Sequence, residues 1–317
     1  MNEFLKNTIL KSCDAKSIVK EEEIQSLWSG YGTLTRVTTD NYSVILKLVT
    51  PPKLHDHPRG WNSNLSHKRK LNSYEVEIYW YKNYNKNIVN AYSPRLIAAG
   101  EMDDSQYLIL EDLGMRDYLS LPFINEDQIK LCINWLASFH ATYLDVAPKN
   151  LWKVGTYWHL ETRPEELEAL EDKELKEAAR KIDHLLNNAQ FQTFVHGDAK
   201  LANFLFKDTE SCAAVDFQYV GRGIGMKDLA YFLSSIYSEE QLIEQEKWCL
   251  DYYFFYLQSA LEKTEKNIDF KVLEKQWRDL YPVAWCDFIR FLKGWSPGHY
   301  KINTYTENIT KKVLSCI

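Results

Sequence analysis

The chain has 317 residues and a mass of 37.3 kDa, with 45% hydrophobic and 26% charged residues and a mean hydropathy of -0.42. That composition belongs to a globular protein long enough for one large domain or two lobes. A formal net charge of -6 argues against a general binder of phosphate backbones, so no nucleic-acid partner is expected. No apolar run approaches the roughly 18 residues of a membrane span, and none is expected to insert in one. The opening MNEFLKNTILKSCDAKS has no long apolar stretch, and a cytoplasmic location is expected. Six cysteines are scattered without a CxxC spacing, which predicts reduced core residues rather than disulfides or metal ligands.

In chain order, a charged run from residue 21 passes into β-prone sequence. Asp40-Asn41 is a turn signal between Arg36-Val37-Thr38 and Val44–Val49, and predicts a hairpin. Thr50–Asn72 reads as a long irregular segment with three prolines and three histidines. Ser73–Lys82 reads as a helix. Two strands follow, around Arg95–Ala98 and Gln106–Leu110, joined by GEMDDS; YLILEDLG then reads as a strand exit into a linker. From Glu126 apolar residues recur at three- and four-residue spacing (Ile129, Ile133, Leu136, Phe139, Tyr143), which predicts a helix. Residues 163–187 read as another. A strand-rich first third before a helix-rich remainder predicts an α+β, two-lobed protein, with lobes at 1–112 and 113–317.

One hairpin-sized segment interrupts the helices: VHGDAKLANFLFKDTESCAAVDFQ, Val195 to Gln218. Phe204–Phe206 and Ala213–Val215 suit paired strands, and pairing them returns Asp216 to the loop end at Asn203. Two hard oxygen donors at adjacent strand ends suit Mg²⁺ when phosphates supply further ligands. Asp198 precedes Asn203 by five residues and is left to orient a hydroxyl and accept its proton.

HGDAKLAN followed by VDFQ resembles the catalytic core of the aminoglycoside and choline kinase families, relatives of the protein kinases. The spelling is most similar to the ecdysteroid-kinase-like (CHK-kinase-like) branch, as are LILEDL and DFQYVGRGIGMKDLAYFL. The resemblance implies a bilobal protein-kinase-like fold, with an N-terminal antiparallel sheet, one main helix and a larger helical C-terminal lobe. It implies ATP and Mg²⁺ as cofactors, Asp198 as catalytic base, and Asn203 and Asp216 as metal ligands. His196 would brace the loop, and Lys200 would lie near the transferred phosphate. Lys47 in VILKLV takes the place of the lysine that grips phosphates; the alternative is a solvent-facing strand lysine. Its partner is Glu75 or Glu77, about 200° apart on a helix, and the family's wording favours Glu77. Gly30 and Gly32 in SGYGTLTR would let the backbone approach phosphates. Glu111, Asp112 and Leu113 would form the linker that meets adenine through its backbone.

Other signals have plainer readings. Asp228 reads as a structural carboxylate at a helix start, and His140 as a hydrogen-bonded core histidine. The pair His55 and His57 suggests a flap more than a zinc site. Trp285, Asp287, Arg290, Trp295 and His299 suit either a substrate-binding cluster or helix core. The expected function is ATP-dependent phosphorylation of a hydroxyl on a small molecule. An inactive nucleotide-binding relative is the alternative. A protein kinase is disfavoured, because Lys227 follows Asp216 by only eleven positions and no A-P-E string intervenes.

Overall fold

The structure, a computed structural model, describes residues 1–27, 30–51, 64–88, 90–264 and 266–317. They fall into two compact units. Unit 1 comprises Met1–Lys86 and Ser93–Leu119, and unit 2 comprises Asn87–Tyr92 and Ser120–Ile317.

Unit 1 is built on a five-stranded antiparallel sheet: β1 (Ile18–Ser26), β2 (Gly32–Thr39), β3 (Ser43–Val49), β4 (Leu96–Met102) and β5 (Ser105–Glu111). Its spatial order is β1-β2-β3-β5-β4. The β2–β3 turn forms where expected because Thr39 closes it. Its hydroxyl donates to the Tyr42 carbonyl (2.7 Å) and accepts from the amides of Asn41 and Tyr42. Central strand β3 has apolar side chains on both faces, at even and at odd positions. Val44 and Leu46 join a core with Val37, Tyr107 and Ile109, closed by Leu5 and Ile9 of α1 (Glu3–Ser12). On the other face Val49 joins a smaller cluster with Leu27, Tyr31 and Tyr74, the last on α2 (Asn64–Asn83).

Two elements here depart from the sequence reading. The charged run lies in β1, whose side chains are nearly all exposed, so polarity hid a strand that pairs through its backbone. Helix α1 is the other, set by its Asn2 cap and two buried residues rather than by a long apolar run. In addition α2 begins at Asn64, so residues 64–72 are helical rather than irregular. His55 and His57 lie outside the described residues. His67 is on α2, with Nδ1 2.6 Å from the Tyr31 hydroxyl.

The chain passes from unit 1 to unit 2 at β6 (Leu119–Ser120). Unit 2 is mostly helical: α3 (Glu126–Tyr143), α4 (Pro164–Ala169), α5 (Lys173–Asn187), α6 (Met226–Ile236), α7 (Glu239–Leu261), α8 (Phe270–Trp295) and α9 (Thr304–Leu314). Helix α3 starts at Asn125 with a reciprocal capping box to Gln128. Residues 163–187 make two helices, because α4 stops at Leu170 and Asp172 caps α5. Between α5 and α6 lie β7 (Thr193–Val195), β8 (Phe204–Lys207), β9 (Ser211–Ala214) and β10 (Gly221–Gly223). β8 pairs with β9 as expected, and β7 pairs antiparallel with β10, which the glycine-rich GRG did not announce. Five cysteines are buried as expected; Cys316 is exposed. No helix of the described residues is long and apolar enough to cross a membrane.

Ile109 lies fully buried at the centre of the unit 1 sheet. Ile109→Ala should lower stability by about 2–5 kcal/mol and Ile109→Val by about 0.5–1.5, read from urea unfolding midpoints.

Candidate active site

In unit 1 the period of β3 decides where Lys47 points. Lys47 shares a face with Ile45 and Val49, toward α2, and is 6% exposed. Its Nζ donates to Glu77 Oε2 at 2.7 Å and lies 5.7 Å from the centre of the Tyr74 ring. Tyr74, Glu77 and Tyr81 form one buried stripe on α2, while Glu75 is exposed. The open choice between the two glutamates therefore resolves on Glu77, and the lysine is not a solvent-facing one.

Gly30 and Gly32 both have positive φ, 72° and 140°. A Cβ on Gly32 would lie 1.9 Å from the Leu48 carbonyl oxygen, so only glycine fits where β2 passes β3. At the end of β5 the Glu111 carboxylate accepts from Arg95 and Arg116, and its amide donates to the Arg95 carbonyl. Asp112 accepts from Arg36 Nε (2.7 Å), Ser43 Oγ (2.6 Å) and the Gly114 amide. Leu113 accepts from Tyr118 through its carbonyl, and its amide has no protein partner among the described residues.

In unit 2 the loop between β7 and β8 carries the H-G-D sequence. Asp228, near the start of α6, accepts from the amides of His196 (2.5 Å) and Gly197 (2.9 Å) and lies 3.1 Å from His140 Nε2. His140 is fully buried and also meets the Tyr253 hydroxyl at 2.7 Å, the core role expected for it. His196 Nε2 is 3.0 Å from the Val215 carbonyl, which ties the loop to the strand end before Asp216. Gly197 sits at φ 80°, where a Cβ would lie 2.3 Å from the Tyr219 carbonyl oxygen.

This frame collects three of the expected side chains. Asp198 is 7% exposed and Asn203 equally so. The Asn203 amide nitrogen donates to Asp198 O (2.7 Å) and Oδ2 (3.0 Å), which leaves its side-chain oxygen as the atom able to ligate. Lys200 Nζ donates to the same Asp198 Oδ2 at 3.1 Å. The Val215 amide donates to the Asn203 carbonyl at 3.0 Å, so the hairpin does bring the chain back beside Asn203. Asp216 follows at φ 69°, with Oδ1 accepting from Gln218 Nε2 at 2.6 Å. Phe217 is buried against the His196 ring, 4.6 Å between centres.

Burial pushes the Asp198 carboxyl above the usual carboxylate range; Lys200 opposes this and Asp216 adds to it. Burial alone would lower the Lys200 ammonium, but Asp198 and Asp216 outweigh it and raise it. An amide oxygen and a carboxylate are hard donors, and a pair of them fits Mg²⁺, which keeps waters and substrate phosphates in its remaining positions. Among the described residues no group of three or more His, Cys, Asp or Glu side chains could hold a metal ion.

Two neighbours of Asp198 escaped the sequence reading. Tyr231 and Tyr157 lie with their ring centres 5.6 Å apart, the charge of Asp198 acts on both, and burial raises both phenols, so they stay neutral beside the carboxylate. Tyr231 lies in KDLAYFL, four positions after Lys227, and that spacing on α6 was the available signal. The C-terminal cluster divides. Trp285, Asp287 and Arg290 are buried core, with Arg290 Nη2 2.9 Å and Lys227 Nζ 3.7 Å from Asp287. Trp295 is half exposed, and His299 stacks on Tyr300.

The antiparallel sheet with a buried Lys47–Glu77 pair, followed by a helical unit carrying this loop, defines a protein-kinase-like fold of the phosphotransferase kind. The chain belongs to the phosphotransferase enzyme family (APH), whose model matches residues 23–262. It is a kinase-type phosphotransferase by class. A search of curated proteins by sequence found no match. Solved structures share the fold at low identity. A thermostable mutant of aminoglycoside phosphotransferase APH(4)-Ia, in ternary complex with ADP and hygromycin B, is 8% identical with a TM-score of 0.52, covering 98% of each chain. Choline kinase LicA from Streptococcus pneumoniae is 11% identical with a TM-score of 0.53, covering 99% of each. A putative fructosamine-3-kinase from Haemophilus somnus is 11% identical with a TM-score of 0.51, covering 98% of this chain and 96% of its own.

Asp228→Ala would leave two buried amides without an acceptor. It should cost about 1–3 kcal/mol of stability, and Asp228→Asn less, as read by urea unfolding.

Proposed function

We propose that the protein transfers a phosphoryl group from ATP to a hydroxyl of a small molecule. The observation that carries this reading is the buried Asp198 carboxylate, held between the Asn203 amide and Lys200 on a loop pinned by Asp228. Asp198 orients the acceptor hydroxyl and takes its proton at Oδ1 or Oδ2. Its raised proton affinity makes that transfer easier than for an exposed aspartate. Asn203 and Asp216 are the residues that would hold Mg²⁺. When bound, the ion neutralises phosphate charge. Lys200 supplies a second positive charge beside the base.

In unit 1, Lys47 positions the α- and β-phosphates, and Glu77 fixes its ammonium. The backbone at Gly30 and Gly32 admits phosphates without a side chain in the way. The Leu113 amide is a donor suited to an adenine ring nitrogen, whereas the Glu111 amide is already used by Arg95. Lobes bounded at 1–112 and 113–317 would divide nucleotide binding from acceptor binding. The APH(4)-Ia complex with ADP supports nucleotide use, and its hygromycin B supports a small-molecule acceptor. The ecdysteroid-kinase-like spelling points to the branch of the family.

Asp198→Asn should lower phosphoryl transfer by about 10²–10⁴-fold while Mg²⁺-ATP still raises the melting temperature. Screening metabolites for ATP consumption supplies the acceptor for that assay. Full turnover in Asp198→Asn, or no thermal shift of the wild type with Mg²⁺-ATP, would defeat the proposal. Lys47→Met should weaken that thermal shift, since its ammonium contacts the nucleotide directly.

A further inference from the structure

One cation beside the loop has no part in the roles above. Lys301 follows α8 by six residues, and its Nζ donates to Ser234 Oγ at 3.1 Å. It lies 5.1 Å from the centre of the Tyr231 ring, 5.6 Å from Phe288 and 6.0 Å from Tyr300. Ring faces hold an ammonium without neutralising it. An ammonium has three donors, and Ser234 takes one. Among the described residues no carboxylate lies within ion-pairing distance of it.

Lys301 also belongs to the base's neighbourhood. It lies over the face of Tyr231, whose phenol feels the charge of Asp198, and the charges of Lys200 and Asp198 both act on the ammonium itself. Burial pushes it down to about 8, with Lys200 adding to the fall and Asp198 opposing it. The remaining titratable neighbour is His299, whose Nδ1 accepts from the Lys301 amide. Tyr300 is 73% exposed, so solvent reaches the edge of the cluster.

The other buried carboxylates nearby are committed. Asp228 holds the loop amides, Asp287 meets Arg290 and Lys227, and Glu166 meets Arg163 at 3.0 Å. Among the described residues Lys301 has no ion pair and Asp198 is the carboxylate whose charge reaches it, so its remaining N–H donors suit an anion better than an ammonium.

We propose that Lys301, its ammonium held by Ser234 and the faces of Tyr231 and Tyr300, is an acceptor subsite whose free N–H donors take an oxyanion carried by the hydroxyl substrate, such as a carboxylate, sulfate or phosphate group. The proposal rests on the reading of Asp198 as base. The substrate class it names is a hydroxylated anion, and amino alcohols that would place an ammonium there are excluded.

The test is trace acetylation of the whole protein with acetic anhydride across a pH series, read at each lysine by peptide mass spectrometry. Lys301 should reach half-maximal reactivity near pH 8, earlier than surface lysines. Inorganic phosphate should slow its reaction several-fold and move its midpoint upward, while choline chloride at the same concentration leaves both unchanged. Indifference to phosphate, or equal protection by choline, overturns the proposal. Stronger protection by Mg²⁺-ATP than by phosphate assigns the oxyanion to the nucleotide and also overturns it. With an acceptor the wild type phosphorylates, Lys301→Met should raise the acceptor KM about tenfold or more, with kcat and the ATP KM within about twofold. Lys301→Arg should restore most of the loss. An acceptor that carries no anionic group sinks the proposal. None of the acetylation arms requires turnover, so failure of the Asp198 assignment is seen separately.

Discussion

The Asp228 carboxylate is the constraint on which the geometry of the loop depends. Fully buried, it accepts from two consecutive backbone amides and lies against His140, so the H-G-D turn is fixed by one side chain from α6. Everything built on that turn follows from it. Gly197 takes its positive φ, Asp198 turns toward Asn203 and Lys200, and His196 reaches the strand end before Asp216. Buried amides without acceptors are costly, so the loop has one well-satisfied arrangement.

The buried Lys47–Glu77 pair in unit 1 is a different kind of constraint. Taking two charges out of water costs about as much as their attraction returns, so such a pair contributes little net stability. Its value lies in orientation. Each charge is held at one point, on a strand and a helix whose apolar neighbours Val49 and Tyr74 pack together in the same small cluster. Hydrophobic packing sets the frame, and the ion pair fixes where the charge sits within it.

Much of this was legible in the sequence because its signals are local. The β2–β3 turn, the α3 periodicity and the H-G-D-to-D-F-Q spacing each lie within a short window. Glu77 over Glu75 was a matter of helical phase, settled only when Tyr74 and Tyr81 revealed the buried stripe. What stayed hidden depends on distant partners. β1 is polar on both faces and exists through its ladder to β2. β10 is three residues that make sense only against β7. Tyr231 and Lys301 come near Asp198 through tertiary packing, which no sequence spacing encodes. The C-terminal aromatic and charged residues could not be sorted into core and surface until α8 showed which side of it was buried.

The polar β1 strand has a consequence for how copies of the chain meet. It stands at one end of the sheet, with Lys20, Glu21, Glu22 and Glu23 exposed along it. An open strand edge invites another strand to add to it, and a row of like charges makes that addition unfavourable. Two copies pairing edge to edge would bring six glutamates together, three from each. The acidity that disguised this strand thus works against extending the sheet past β1.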